Sequence, residues 1–510
     1  MTLRSLPPSP LSPRALALAG AALAAALPLA GCLAPDAVPG PAGGAGGAGT
    51  GGTPEGGAPT GYDLAWQQTS GLDAPYNQRT TSLAPTPDGG VLAAGAFAGS
   101  LTLGSLPTLP NTEDTDGFVA QLSPDGAPLW SIAFSGLGEQ SVTRALPLPD
   151  GGLIVAGTFS QMLLYNAVDQ APAPDGMDGF VAHLDATRAL TWLVRIGGPG
   201  NQSVHSMALA SDSAGALSIV VAGVFEQSLV VGDLDTGEKA DADDFYVAKL
   251  ALDGTPAWGL SLGGNPPNAA APPTCFVAAG PGGTIHVAGT FTGTVQLGQN
   301  IGAVGDRDIF IGKLAPDGTP AWAHSIGEQA GEQRAAGIAV NDDGSSILAG
   351  DVKGKAQVDA ATTLQSDGTW PDAFLAVYNP EGDVEWARRY GSKAEDHAGT
   401  VSVAPGGDLL FTGRFRGAIT FGEEPALLND VAIAYNDDIF LARLTPKGAP
   451  LYTTKFGKDK DQIATTVAGT PEGDIYLGGW FSGVVDFGQG DTDAKLGDDL
   501  FIVKLAPKSN

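Results

Sequence analysis

The stretch DGFVAQLSPDGAPLW, Asp116 to Trp130, returns as DGFVAHLDATRALTW from Asp178 to Trp192 and as DIFIGKLAPDGTPAW from Asp308 to Trp322. Its closing aromatic recurs as Trp66, Trp130, Trp192, Trp258, Trp322, Trp386 and Tyr452, at intervals of 62 to 66 residues. Its opening acid recurs as Asp116, Asp178, Asp244, Asp308, Asp372, Asp438 and Asp499. From each of the first six acids to the next aromatic the distance is 14 residues, so insertions fall elsewhere and this segment is one unit.

The unit reads as a β-hairpin. Phe118 to Ser123 alternates and is rich in strand formers. Ser123-Pro124-Asp125-Gly126 is a turn, with Pro presetting φ, Asp bonding backwards and Gly taking positive φ. PLWSIAF then returns. A second hairpin fills the rest of each repeat, turning at Pro87-Asp88-Gly89-Gly90, at Pro149-Asp150-Gly151-Gly152, at Asn341-Asp342-Asp343-Gly344 and at Pro471-Glu472-Gly473-Asp474. The strand after it carries a central glycine, as Gly157, Gly289 and Gly413, where strands or neighbouring repeats can approach closely.

Each repeat therefore has four strands, and seven such units predict an all-β fold, a seven-bladed β-propeller of four-stranded antiparallel blades. DGFVAQLSPDGAPLW and PDGGLIVAGTF resemble the bacterial seven-bladed propeller repeats called SBBP, over about residues 62–507. The last repeat stops after its third strand, Leu500 to Leu505, while Tyr62 to Gly71 reads as a fourth strand with nothing before it. The expectation is that the Trp66 strand completes the last blade and closes the ring, leaving no open end.

The first sixty residues lie outside this pattern. Arg4 and Arg14 precede an apolar segment, Ala15 to Ala30, which is short for a membrane span. It ends in Leu29-Ala30-Gly31-Cys32, which resembles the lipobox of bacterial lipoproteins. The resemblance implies a signal peptide over residues 1–31, cleavage before Cys32, and lipidation of Cys32. Residues 32–60, rich in Gly, Ala and Pro, read as a tether with a reach of about 30 Å. The repeat domain spans residues 61–510. Leu33 stands where an inner-membrane retention signal would place Asp, so by resemblance to enterobacterial sorting the expected location is the cell envelope, at the outer membrane or cell surface, with membrane contact only through the lipid.

The chain of 510 residues has a formal net charge of −29. Loss of residues 1–31 would remove Arg4 and Arg14 and no acid, making the remainder more acidic. Such a surface repels phosphate backbones, so no nucleic-acid partner is expected. The chain has two cysteines. With Cys32 lipidated, Cys275 is alone and no disulfide framework exists. Cys275, in the apolar run TCFVAAG, reads as a buried thiol.

Strand order puts the tight turns on one face and the long second-to-third-strand loops and inter-repeat crossovers on the other. Loops carry function more often than turns, so the variable face is the candidate site. It is acidic, with Glu113, Asp114 and Asp116 together and Asp241, Asp243 and Asp244 close to Glu238. Calcium is the one cofactor these acids suggest, with Asp114, Asp116, Asp241, Asp243 and Asp244 as candidate ligands. Thr112 and Ser123 stand where a calcium loop needs its first and its bidentate ligand, so the alternative stays open that each repeated Asp caps its own loop. The crossovers add Asn77-Gln78-Arg79, Glu139-Gln140, Asn201-Gln202, Glu332-Gln333-Arg334, Asp396-His397 and Asp461-Gln462. From these, Arg79, Arg144, His205, Arg334 and His397 could hold a small anion or sugar, or the amides could bond crossover backbones.

No zinc-protease helix or phosphate loop occurs, and no two of the five histidines have local metal-ligand spacing. The expected function is a monomeric, lipid-anchored binding scaffold for an envelope or extracellular protein or glycan. The alternatives are an envelope enzyme, a glycan or small-ester hydrolase or lyase with its site at the channel mouth, and a purely structural envelope component.

Overall fold

A computed structural model describes residues 61–508 except 72–75, 111–113, 167, 172–175, 266–273, 306, 330 and 430–435, together with the backbone but not the side chains of 169, 239, 241, 242 and 265. The signal peptide, Cys32, the tether, Glu113 and the Asp241 side chain thus lie outside the described residues.

The described chain is all-β, built of antiparallel strands, with no α-helix and one short 3₁₀ turn, Pro281–Gly283. Each repeat forms a module of four hydrogen-bonded strands. The first pairs Gln78–Pro85, Val91–Ala98, Thr115–Leu122 and Pro128–Ser135 in chain order. The fifth pairs Glu332–Val340, Ser346–Lys353, Asp372–Tyr378 and Val384–Tyr390 in the same way. The seventh takes Gln462–Gly469, Ile475–Phe481 and Asp499–Pro507 from the end of the chain, and its fourth strand is Tyr62–Ser70, set against Asp499–Pro507 from Tyr62↔Pro507 to Ser70↔Leu500.

A module has two apolar faces and covers neither, so burial falls at the seams. Every hydrophobic cluster spans two neighbouring modules, such as Val119 and Phe134 with Val155 and Phe180. One cluster joins Leu83, Phe97 and Phe118 of the first module to Tyr476, Leu500 and Ile502 of the seventh. The first strands lie side by side from module to module, and that of the seventh lies against that of the first. There the Thr465 hydroxyl donates to the Thr80 carbonyl, and the Leu83 amide donates to Thr466 Oγ1 at 3.1 Å.

The quoted stretch repeats because it is latched across these seams. The Trp322 indole donates to Pro380 O in the next module's turn at 3.1 Å, and Trp66, Trp258 and Trp386 do the same to Pro124, Pro316 and Pro446. Gly382 in that turn has φ +95°, and a Cβ there would lie 2.8 Å from the Trp322 ring. Residue choice and backbone conformation therefore serve one contact. Gly157 in the second strand has another reason. A bulge between Val142 and Arg144 turns the Ser141 carbonyl toward it, and a Cβ would meet that oxygen at 2.1 Å.

The long loops carry strands of their own. Several are short hairpins: Leu163–Tyr165 with Val168–Ala171, Lys355–Gln357 with Thr363–Gln365, and Val484–Asp486 with Asp491–Asp493. In the third module the second and third strands continue as Leu217–Val231 and Leu234–Ala251. Some of these extensions pair with the preceding module's fourth strand, as Phe134↔Tyr165 and Ile196↔Val231 do. The extra ladders tie seams at their outer edge.

Candidate functional site

Equivalent residues of neighbouring first strands meet at one level, so all long loops and crossovers fall on one side. The crossover glutamines point inward there. Gln140 Nε2 donates to Leu137 O at 2.9 Å and Met162 O at 3.0 Å, and Gln202 donates to Pro199 O at 2.9 Å. Gln78, Gln333 and Gln462 do likewise. Asp396 holds this place in the sixth module. Burial, with Asp372 nearby and against the Ser392 amide, pushes its carboxyl up to about 8.

The next residue along each first strand, and its partner after the central glycine of the second, change with every module. The pairs are Arg79↔Ala96, Ser141↔Thr158, Ser203↔Val224, Thr274↔Thr290, Arg334↔Asp351, His397↔Arg414 and Ile463↔Trp480. The opposite turns keep nearly one sequence. Most of the chemical individuality of these two strands is thus at this end.

On one side these positions build a charged cluster. Asp351, 3% exposed, receives Arg334 Nε at 2.7 Å, His397 Nδ1 at 2.8 Å and the Ala398 amide at 2.7 Å. Burial alone would raise its pKa, but Arg334, His397 and that amide outweigh it and hold the carboxyl below the usual range. Arg334 also reaches Ala398 O at 2.9 Å. Beside it, Asp437 receives Arg414 and Arg416, and Arg416 also pairs with Glu395. Arg79 stands apart, 3.0 Å from Asp498 and 4.8 Å from the centre of the Trp480 ring.

The other side is lined by hydroxyls. A cavity of about 440 Å³ is bounded by Ser141, Thr143, Thr158, Ser203, His205, Thr274 and Phe276 among others. His205 occupies the bulge position at which Thr81, Thr143 and Thr465 tie their strand to the next module. It does the same with a ring: the Cys275 amide donates to Nδ1 at 3.3 Å, and Nε2 lies 2.9 Å from Ser203 Oγ. With Nδ1 accepting, the ring proton sits on Nε2 and His205 donates to Ser203. Burial lowers its pKa to about 4, so it is neutral. Ser203 therefore has no base to activate it in this arrangement. Arg144 follows the neighbouring bulge; burial lowers its pKa, and its Nε meets no partner among the described residues. Cys275 is wholly buried, which pushes its thiol up and leaves it inert.

Of the candidate anion-gripping residues, Arg334 and His397 come together on Asp351, whereas Arg79, Arg144 and His205 stand elsewhere around the same end. Of the candidate calcium ligands, Asp114 accepts the Gly138 amide at 3.1 Å, Asp116 is buried with its carboxyl pushed up to about 7, and Asp243 lies beside Glu226 and is raised by burial. The repeated acids cap their own loops, as Asp308 does for Val304 N at 2.6 Å, or face a cation seventeen residues on, as Asp178 and Asp372 do with Arg195 and Arg389. Asp244 closes the ladder opposite Phe225. Among the described residues no three His, Cys, Asp or Glu side chains are grouped as a metal would need. Asp351 and Trp480 went unremarked in the sequence, although the variable place after a repeated glycine was a usable signal.

No protein-family model and no curated protein matches this chain. Solved structures it is similar to include Sqt1 from Chaetomium thermophilum (12% identity, 86% of this chain and 100% of that one, TM-score 0.38). Others are the PQQ-bound aldose sugar dehydrogenase of Streptomyces coelicolor (15%, 71% and 92%, 0.32) and an apocarotenoid oxygenase variant from Synechocystis (10%, 65% and 64%, 0.33). Scores at this level carry no argument about this chain's chemistry.

Proposed function

We propose that this chain is a seven-bladed β-propeller, held at the bacterial cell envelope by a lipid on Cys32, whose face of long loops binds an envelope or extracellular partner. The seven-bladed reading is supported by the seam between the seventh and first modules and by the Tyr62–Ser70 strand filling the seventh. The anchor rests on the sequence before the repeats.

The observation that carries the binding reading is where exposed apolar side chains lie. Of the eight large ones among the described residues, Tyr76, Leu137, Val168, Val304, Trp370, Leu428 and Leu496 all stand on loops or crossovers of this face. Leu496 is 69% exposed and Trp370 50%. Isolated surface apolar residues are ordinary, but seven on one face are a contact pattern. Acids stand on loops of the same face: Asp233, Asp235 and Glu238 in one, Glu423 and Glu424 in another, Asp486, Asp491 and Asp493 in a third. Apolar tips among acids suit a basic protein surface better than a neutral glycan. An enzymatic reading would need a poised nucleophile and base, and the neutral, donating His205 does not supply the base.

Two measurements test this. Cells fed a clickable fatty acid should label the chain, and Cys32→Ala should abolish the label; equal labelling refutes the anchor. In the second, the loop variant Trp370→Ser with Leu428→Ser and Leu496→Ser should lose at least about tenfold in retention of basic envelope proteins, since buried aromatic anchors contribute about 2 kcal/mol or more. The turn-face control Asp125→Ala with Asp317→Ala should not. Equal retention by both would refute the loop-face reading.

A further inference from the structure

The fifth module departs from its counterparts at one buried place. The last core residue of the third strand is Leu122, Leu184, Leu250, Leu314, Leu444 and Leu505 in six modules, but Tyr378 here. Tyr378 is wholly buried, and its hydroxyl meets no partner among the described residues. Its cross-strand neighbour Ser346 bonds His286 Nδ1 at 2.6 Å instead. An orphaned buried hydroxyl costs about 1–3 kcal/mol, and leucine would avoid that cost.

Across the seam stands His324, two residues after Trp322. At the same place Gln68 and Arg388 donate to the carbonyl of the next module's turn glycine, at 3.1 and 2.5 Å. His324 instead stacks on Tyr378, with centroids 5.8 Å apart and planes 12° from parallel, and its Nε2 is likewise without a partner. Both side chains line a cleft of about 750 Å³ between the fourth and fifth modules. Glu328, Asp359, Asp383 and Gln357 line it too, and among the described residues no Lys or Arg does. Asp359 accepts the Ala361 amide at 2.8 Å and the Thr362 amide at 2.6 Å. These bonds outweigh burial and keep its carboxylate ionised, close enough to act on both His324 and Tyr378.

We propose that this cleft binds a small hydroxylated organic cation, an amino sugar or amino alcohol. Its ammonium meets Asp359 with Glu328 or Asp383, and its hydroxyls engage the half-buried His324 ring, which the buried Tyr378 stacks behind and positions. The acids without a countercharge disfavour an anion. The polar groups beneath the wall, where six modules are apolar at the tyrosine's place, disfavour a plain hydrocarbon. The site lies on a seam and does not depend on the loop-face reading.

Calorimetric titration of the full-length chain at pH 6 with glucosamine, glucose and glucuronate varies charge on one sugar frame. Glucosamine should bind saturably, glucose about tenfold or more weakly, and glucuronate not at all, because a charge-assisted hydrogen bond is lost and then opposed. Asp359→Asn keeps the turn acceptor and loses the charge. Tyr378→Leu installs the residue of the other six modules and should fold at least as well as the parent. Each should weaken glucosamine about tenfold, while Trp370→Ser with Leu428→Ser should titrate as the parent. Equal binding of the three sugars, no binding of any, or both cleft variants behaving as the parent overturns the proposal.

Discussion

Replacing Asp351 by alanine tests the charged cluster most directly. Its side chain is 4% exposed and accepts hydrogen bonds from Arg334, His397 and the Ala398 amide. Removing one partner of a buried pair costs about 3–5 kcal/mol. Arg334 is 38% exposed and His397 18%, so both recover some hydration and the lower end applies, about 3 kcal/mol. Asp351→Asn keeps an acceptor for the Ala398 amide and should cost about 2 kcal/mol. The pH dependence gives an independent check. The folded pKa of Asp351 lies below its ordinary value. Its stabilisation is therefore complete above the ordinary carboxylate pKa and is lost as pH falls through the lower folded value. Urea unfolding followed by tryptophan fluorescence should show the gap between wild type and Asp351→Asn narrowing as pH falls below about 4. A loss under about 0.5 kcal/mol at pH 7, or a gap that widens as pH falls below about 4, would refute the reasoning.

Asp396 should behave in the opposite sense. Its folded pKa is raised to about 8, so its contribution is full below the ordinary carboxylate pKa and is lost progressively as pH rises from about 4 to about 8. Asp396→Asn, which mimics the glutamines of the other crossovers, should gain stability over the parent steadily between about pH 4 and pH 8 and level off above, by urea midpoints across that range. Gly382→Ala should cost about 1–2 kcal/mol by the same assay, because φ is +95° and the new Cβ would press on Trp322. Deleting residues 61–71 uncovers the Asp499–Pro507 edge and should raise the light-scattering mass above that of the parent, as dimers or aggregates. A thermal melt in EDTA and then rising calcium tests the acidic loops, since a site filled at 100 times its Kd adds about 2.7 kcal/mol and an unchanged midpoint leaves Asp114 and Asp243 without a metal role.

How much of this was legible follows from the distance over which each feature is encoded. The hairpins were readable because alternation, Pro-Asp-Gly turns and a fixed Asp-to-aromatic spacing are local. The latch of Trp322 on Pro380 was not, since it spans 58 residues and two modules. Repetition nevertheless marked both of its ends, as a tryptophan and as a turn. The hairpins inside the long loops were not legible for a physical reason: Val484–Asp486 with Asp491–Asp493 are three residues a side, too short for alternation to show. His205 was read as a possible ligand because a histidine near a strand start is chemically suggestive. Its position in the bulge, where three modules place threonine, is what makes it a staple.

The same comparison separates scaffold from chemistry within one chain. A residue present in most modules answers a need that every module shares: turn, seam, cap or close approach. Gln140, Gly157 and Trp322 are of that kind, and each has its contact. A residue that breaks the series at a buried place has been released from that need and carries a cost of its own. Asp351 stands at a buried place that the modules fill with unlike residues, and its charge is met by Arg334 and His397. Tyr378 breaks the series among six leucines, and its hydroxyl is met by nothing in the described chain. The first is balanced inside the fold and the second is not, which is why the search for a small ligand belongs at the seam between the fourth and fifth modules, and the search for a macromolecular partner at the loop tips.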